Sequence, residues 1–91
     1  MANGYLGSSN LLTSTANLEI VPNTPIGWSN KRYSFYKFSF INKTTCRVKI
    51  NGGEPIYLEE NQGFESDKED VKINSFIIVE PTVDFNWIGS Y

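Results

Sequence analysis

The sequence predicts an all-β fold: a small antiparallel β-sandwich, jelly-roll-like, or a barrel, carrying an extended N-terminal arm. Three observations predict it. Apolar and polar residues alternate through residues 33–50 and again through 83–87, the period of a strand with one buried face. Aromatic and β-branched residues dominate these runs. Turn residues separate them, with Asn51-Gly52-Gly53 the strongest signal and Pro22, Pro25, Pro55 and Pro81 as further breaks.

Residues 1–17 contain Asn, Ser, Thr and Gly around Tyr5, Leu6, Leu11 and Leu12, without a charged side chain or a sustained period. They read as an extended arm whose scattered apolar residues dock onto a neighbouring surface. Residues 18–91 read as one domain. Its first strand is Leu18-Glu19-Ile20-Val21. Pro22 and Pro25 then stiffen a loop, because each fixes its own φ and restricts its predecessor. Trp28 follows as a lid on the sandwich or as a contact ring.

Residues 33–50 supply the centre of the prediction. Tyr36, Phe38 and Phe40, then Cys46, Val48 and Ile50, point one way; Lys37, Ser39, Arg47 and Lys49 point the other. With Asn42-Lys43-Thr44-Thr45 as a reversal, the stretch reads as a hairpin. The Asn51-Gly52 turn leads to a strand at Ile56-Tyr57-Leu58. Residues 59–70 form a polar connection that Phe64 pins to the core. Residues 71–80 read as the longest strand, and the unbroken apolar run at 76–79 implies burial on both faces. Cover for Ile77 and Val79 then comes from the arm or from another subunit. After Pro81, Val83, Phe85 and Trp87 share the inner face of a last strand.

Ninety-one residues make one modest core. Eight basic against ten acidic residues give a net charge of −2, which offers no general attraction to nucleic acid or to an anionic membrane. The single Cys46 permits no internal disulfide, and its place among apolar positions makes it a buried structural thiol. Histidine is absent, so the usual general base and the commonest metal ligand are missing. No apolar run reaches the roughly 18 residues of a membrane span. The N-terminus lacks the features of a secretory signal, so synthesis and residence in a cytoplasm are expected, or departure within a larger particle.

Charge is segregated along the chain. Lys31, Arg32, Lys37, Lys43, Arg47 and Lys49 occupy a window without an acid. Seven of the ten acids lie between Glu54 and Asp70. Complementary patches of this kind orient assembly, within a monomer or between copies in a ring. The acids lack an apolar setting that would raise one of them for glycosidase chemistry. Glu65, Asp67, Glu69 and Asp70 lack the spacing of an EF-hand loop, so no metal is assigned. Neither a catalytic residue nor a cofactor is assigned, because no nucleophile set, phosphate loop or zinc spacing is present. Trp28, Tyr33 and Tyr57, with Trp87, are candidates for a sugar-stacking platform. Asn42-Lys43-Thr44 matches a glycosylation sequon by chance.

One resemblance adds to this reading. Tyr36-Lys37-Phe38-Ser39-Phe40, then residues 48–58 (V-K-I-N-G-G-E-P-I-Y-L), Gln62-Gly63-Phe64-Glu65, residues 75–80 and Phe85-Asn86-Trp87-Ile88-Gly89 resemble small virion proteins of tailed bacteriophages, those of phages infecting clostridia in particular. The similarity spans residues 33–91. It implies a non-enzymatic β-sandwich that binds the assembled particle, most of all a capsid decoration protein stabilising the head. A neck, tail or baseplate component, or a carbohydrate-binding module attaching the phage to its host, is the alternative. The implied partners are the major capsid protein or other virion proteins and further copies of the chain, a trimer being favoured, with the virion as location. The interface residues expected on this reading are Tyr5, Leu6, Leu11, Leu12, Trp28, Ile77 and Val79.

Overall fold

The computed structural model describes residues 4–29 and 31–91. The strands are β1 (Tyr5–Gly7), β2 (Leu12–Thr13), β3 (Leu18–Glu19), β4 (Lys37–Asn42), β5 (Cys46–Ile50), β6 (Ile56–Leu58), β7 (Phe64–Ser66), β8 (Phe76–Ile78) and β9 (Asp84–Ser90). They form two antiparallel sheets packed face to face. One runs β1–β9–β4–β7, with β2 also on β9; the other runs β3–β8–β5–β6. The expected all-β sandwich is borne out.

The pairings show how the chain is wound. β5 pairs with β6, β4 with β7, β3 with β8 and β2 with β9. These pairs are nested around one turn, so the chain is a single long two-stranded ribbon bent to fall alternately into the two sheets. The pairings β4 with β9 and β5 with β8 close the ribbon on itself. A ribbon rolled in this way is the jelly-roll arrangement. Its centre is the Asn-Gly turn: Asn51 (φ 51°) and Gly52 (φ 75°) are both left-handed, and the Gly53 N–H donates to the Ile50 carbonyl at 2.9 Å.

The hairpin expected over residues 33–50 is therefore corrected. β4 and β5 lie in different sheets. Phe38 and Phe40 face Cys46 and Val48 across the core, all four buried. Alternation identifies the inward residues but not which strand lies alongside. The link between them is an arch, and Asn42 holds it. Its side chain is fully buried. Nδ2 donates to the carbonyls of Thr44 (3.0 Å), Leu58 (3.4 Å) and Glu59 (2.8 Å), while Oδ1 accepts the Gly63 N–H at 2.9 Å. The Asn42 carbonyl accepts the Asn61 N–H at 2.7 Å. One amide thus joins the end of β4, the arch, the end of β6 and the approach to β7.

The strand expected over residues 71–80 is shortened to Phe76–Ile78, and β9 is the longest. The Asn51 side chain donates to the Lys72 carbonyl and accepts the N–H groups of Asn74 and Ser75, so residues 72–75 follow that asparagine rather than a ladder. Ile73 turns inward in an isolated bridge with Phe35. The apolar run at 76–79 alternates after all: Phe76 and Ile78 are buried, Ile77 and Val79 half-buried on the outer face.

The segment expected as an arm is extended, but its described part pairs with β9 of its own chain. Gly4 and Tyr91 exchange backbone hydrogen bonds, and the Ser8 hydroxyl accepts the Trp87 N–H at 3.1 Å. Ser14, buried, donates its hydroxyl to the Glu80 carbonyl (2.8 Å) and accepts the Val83 N–H (3.0 Å). Polar side chains with no hydrophobic period thus fasten the segment by satisfying backbone groups.

The core is aromatic. Phe35, Phe38, Phe40, Phe76 and Phe85 are buried and touch in a chain, with centroids 4.7 Å apart for Phe40–Phe76 and 4.9 Å for Phe38–Phe76. Each such ring contributes about 1.5–3 kcal/mol of burial and each tilted pair about 0.5–1.5 kcal/mol more. Phe64 is half-buried and packs on Phe76, pinning the 59–70 connection as expected. Gly89 leaves room for Phe35, since a Cβ there would lie 2.6 Å from the ring.

Asn42→Ala should strand the Gly63 N–H and the carbonyls of Leu58 and Glu59. Left without partners, they cost about 3 kcal/mol or more, a fall in Tm of about 12–24 °C. Thermal unfolding followed by circular dichroism measures it; a fall below about 4 °C would mean that the arch is held by other contacts.

Candidate functional site

Ile26, the most exposed apolar side chain among the described residues, sits on a loop between β3 and β4 together with Trp28. Residues 22–29 and 31–33 belong to a hydrogen-bonded finger: Thr24 N–H donates to Lys31, Trp28 N–H to Pro25, Tyr33 N–H to Pro22, and Asn23 bridges Arg32. Gly27 takes φ 100°, which turns the tip. Ile26 at that tip is fully exposed and Trp28 half-exposed. Arg32 at the finger's base pairs with Glu19 at 2.6 Å. The same carboxylate accepts the Val21 and Phe76 N–H groups and the Ser75 hydroxyl, so the finger is tied to β3 and to the approach to β8.

Trp28 meets Tyr33 edge-on at 5.4 Å and Tyr91 at 6.2 Å, and Tyr33 stacks on Phe35 at 6.1 Å. It is a lid resting on tyrosines, with half its surface in solvent. Val71, 75% exposed, lies in the loop that leads into the Phe35–Ile73 bridge. Tyr57 is elsewhere, on β6 opposite Arg47. The three proposed sugar-stacking rings are thus split: Trp28 and Tyr33 touch, and Tyr57 belongs to another face. Trp87 points inward against Phe35 and Phe38.

The seven expected interface residues fall on several surfaces. Leu6 packs against the core, and Leu12 pairs with Phe85. Tyr5 and Leu11 are exposed beside the outer face of the β1–β9–β4–β7 sheet. Ile77 and Val79 lie half-buried on the outer face of the other sheet, and Trp28 lies on the finger. Because β4 and β5 belong to opposite sheets, Lys37 lies on a different face from Arg47 and Lys49, and among the described residues these bases form no continuous face.

The outer face of the β1–β9–β4–β7 sheet carries two clefts. The larger, about 440 Å³, has Tyr5, Lys37, Glu65, Asp67 and Asp70 on its walls. The second, about 380 Å³, is lined by Ser8, Asn10, Leu11 and Asn86. Ser39 and Ile88 border both, so the two clefts adjoin. The acidic connection thus meets Lys37 within the monomer. Among the described residues no three Asp, Glu, Cys or His side chains converge as a metal site. Asp67 and Asp70 instead bond within their own turn: Asp67 accepts the Lys68 N–H and Asp70 that of Asp67.

Cys46 is buried, and burial followed by the nearby Glu80 charge pushes its thiol up to about 11. Burial also acts to raise Glu80, but the Arg47 backbone N–H and guanidinium, each at 2.7 Å, together with the guanidinium charge, hold that carboxyl below its ordinary 4.5. Asn42 of the sequon is buried and inaccessible to a glycosyltransferase in the folded chain.

No protein-family model matches the chain, and neither the curated proteins nor the solved structures yield a match. The class is defined by the fold itself, a rolled two-sheet antiparallel sandwich.

Two outcomes follow. Cys46 should resist a thiol reagent at pH 8 in the native protein and react once unfolded; fast native labelling would contradict its burial. Glu80, its carboxyl lowered on folding, stabilises above the ordinary carboxylate range, and that contribution is lost as pH falls through the folded value. Glu80→Gln should therefore destabilise at pH 7 and flatten the loss of Tm on acidification; an unchanged acid profile would remove Glu80 from the linkage.

Proposed function

We propose that this chain is a non-enzymatic structural protein of a tailed-bacteriophage particle, a capsid decoration protein that binds the assembled head through the finger end of the sandwich. The observation that carries the reading is the hydrogen-bonded finger with Ile26 in solvent and Trp28 half-covered. A fixed loop presenting an aliphatic tip beside an aromatic ring is what a docking contact uses, since central aromatic anchors carry most binding energy. The resemblance of residues 33–91 to phage virion proteins supplies the partner, the major capsid protein. The virion is the location, and further copies in a closed ring, a trimer foremost, complete the assembly. The described part of the arm is occupied by β9, so reach across a neighbour is assigned to the finger instead. A neck, tail or baseplate position uses the same contact with a smaller copy number.

Ile26→Ser, at a fully exposed site, should keep its Tm within about 4 °C. Adding Trp28→Ser removes packing on Tyr33 and Tyr91 worth about 1.5–3 kcal/mol. The double variant should therefore melt about 6–24 °C lower while remaining folded. It should lose about tenfold or more in co-sedimentation with particles lacking the protein. Mass spectrometry of purified particles gives the copy number: many copies place it on the head, and a single small ring places it at the neck or baseplate. Absence from particles, or unchanged binding by the double variant, would overturn the reading.

A further inference from the structure

The trough on the outer face of the β1–β9–β4–β7 sheet has no part in finger docking, and its make-up points to a ligand. It lies over β9 and β4, the strands with a partner on both sides: β9 pairs with β1, β2 and β4, and β4 with β7 and β9. Their backbone groups are committed to ladders, so an extended peptide finds no free strand edge there to add to. Whatever occupies the trough is read by side chains. Those along its middle and far end are hydroxyls and amides: Ser8, Ser39, Asn10 and Asn86. Apolar contact comes from half-exposed Ile88 between the clefts, from Leu11 and from the ring of Tyr5, 70% exposed at the other end. Neutral donors and acceptors alternating with apolar surface match a molecule with hydroxyls on its rim and C–H groups on its faces.

We propose that this trough binds a linear, uncharged oligosaccharide, with one sugar face on Tyr5 and its hydroxyls paired to Ser39, Asn86 and Glu65. The carboxylates of Glu65, Asp67 and Asp70 against the lone Lys37 set the charge preference. They accept hydrogen bonds from sugar hydroxyls and repel uronic acids and phosphorylated glycans. The two clefts, of about 440 and 380 Å³, each have a volume within the range of ordinary ligand sites. This site is separate from the Trp28–Tyr33 rings and stands without the virion reading, so either can fail alone.

The test is an NMR titration of the ¹⁵N-labelled chain with three hexamers: β-1,4-linked glucose, N-acetylglucosamine and galacturonate. At least one neutral hexamer should shift the amides of Ser39, Asn86 and Ile88, with a Kd of about 1 mM or tighter, and the galacturonate hexamer should not. Tyr5→Ala, whose backbone pairing is retained, should weaken binding about tenfold at unchanged Tm. Ser39→Trp should block the trough at the boundary of the two clefts. The proposal is overturned by silence with both neutral hexamers, by shifts confined to the Trp28 finger, or by tighter binding of the anionic hexamer. Binding of a cationic peptide at these amides in preference to the sugars would likewise overturn it.

Discussion

The fold depends on one buried carboxamide. A ribbon that must cross from one sheet to the other leaves backbone groups unpaired at every crossing, and Asn42 satisfies them at the tightest one. The other crossings are solved alike. Asn51 serves residues 72–75, Glu19 serves Val21 and Phe76, and Ser14 serves the 80–83 turn. Each is a short polar side chain at a strand end, turned toward the main chain rather than toward water. Buried backbone groups are seldom left without partners, and here these side chains, with Ser8, Gln62 and Glu80, supply what the ladders omit. The phenylalanine core fills a space whose walls these contacts hold in register.

Much of the architecture was legible in the residues, because alternation is a direct consequence of strand geometry. Phe38, Phe40, Cys46 and Val48 are inward as their period requires, and Asn51-Gly52 makes the turn that its tolerance of positive φ allows. What alternation does not carry is adjacency. A hairpin and an arch place the same residues inward, and only the buried amide of Asn42 separates them. Asparagine followed by lysine and two threonines looks like an ordinary turn until its burial is known. The 71–80 run misled for a related reason: four apolar residues in sequence suggested cover on both faces, yet half-exposed Ile77 and Val79 are the ordinary lot of an outer sheet face.

The surfaces were less legible than the core. The leader's serines carry no period, because they act on the backbone of β9 and not on the hydrophobic interior. Trp28 could be named from sequence, but the finger that presents it rests on hydrogen bonds among residues 22–29 and 31–33 that composition does not announce. The trough was missed entirely. Its members come from β4, β7, β9 and the leader, and they become neighbours only after the ribbon has rolled. Tyr5, expected from sequence as a docking residue of an extended arm, also lines that cleft.

The nesting of the strand pairs bears on how the chain comes off the ribosome. The turn at 51–53 can form as soon as β6 emerges, and the ribbon can zip outward from it, β4 with β7 and then β3 with β8. β9 is translated after every other strand, yet it lies between β4 and the leader and is the strand to which β1 and β2 attach. Until residue 90 is free, Phe35, Phe38 and Phe40 lack Trp87 and Phe85, and β1 and β2 wait without a partner. Such distant pairings place folding in the slow, millisecond-to-second regime, and nascent chains crowded on one message would expose matching unpaired edges to each other.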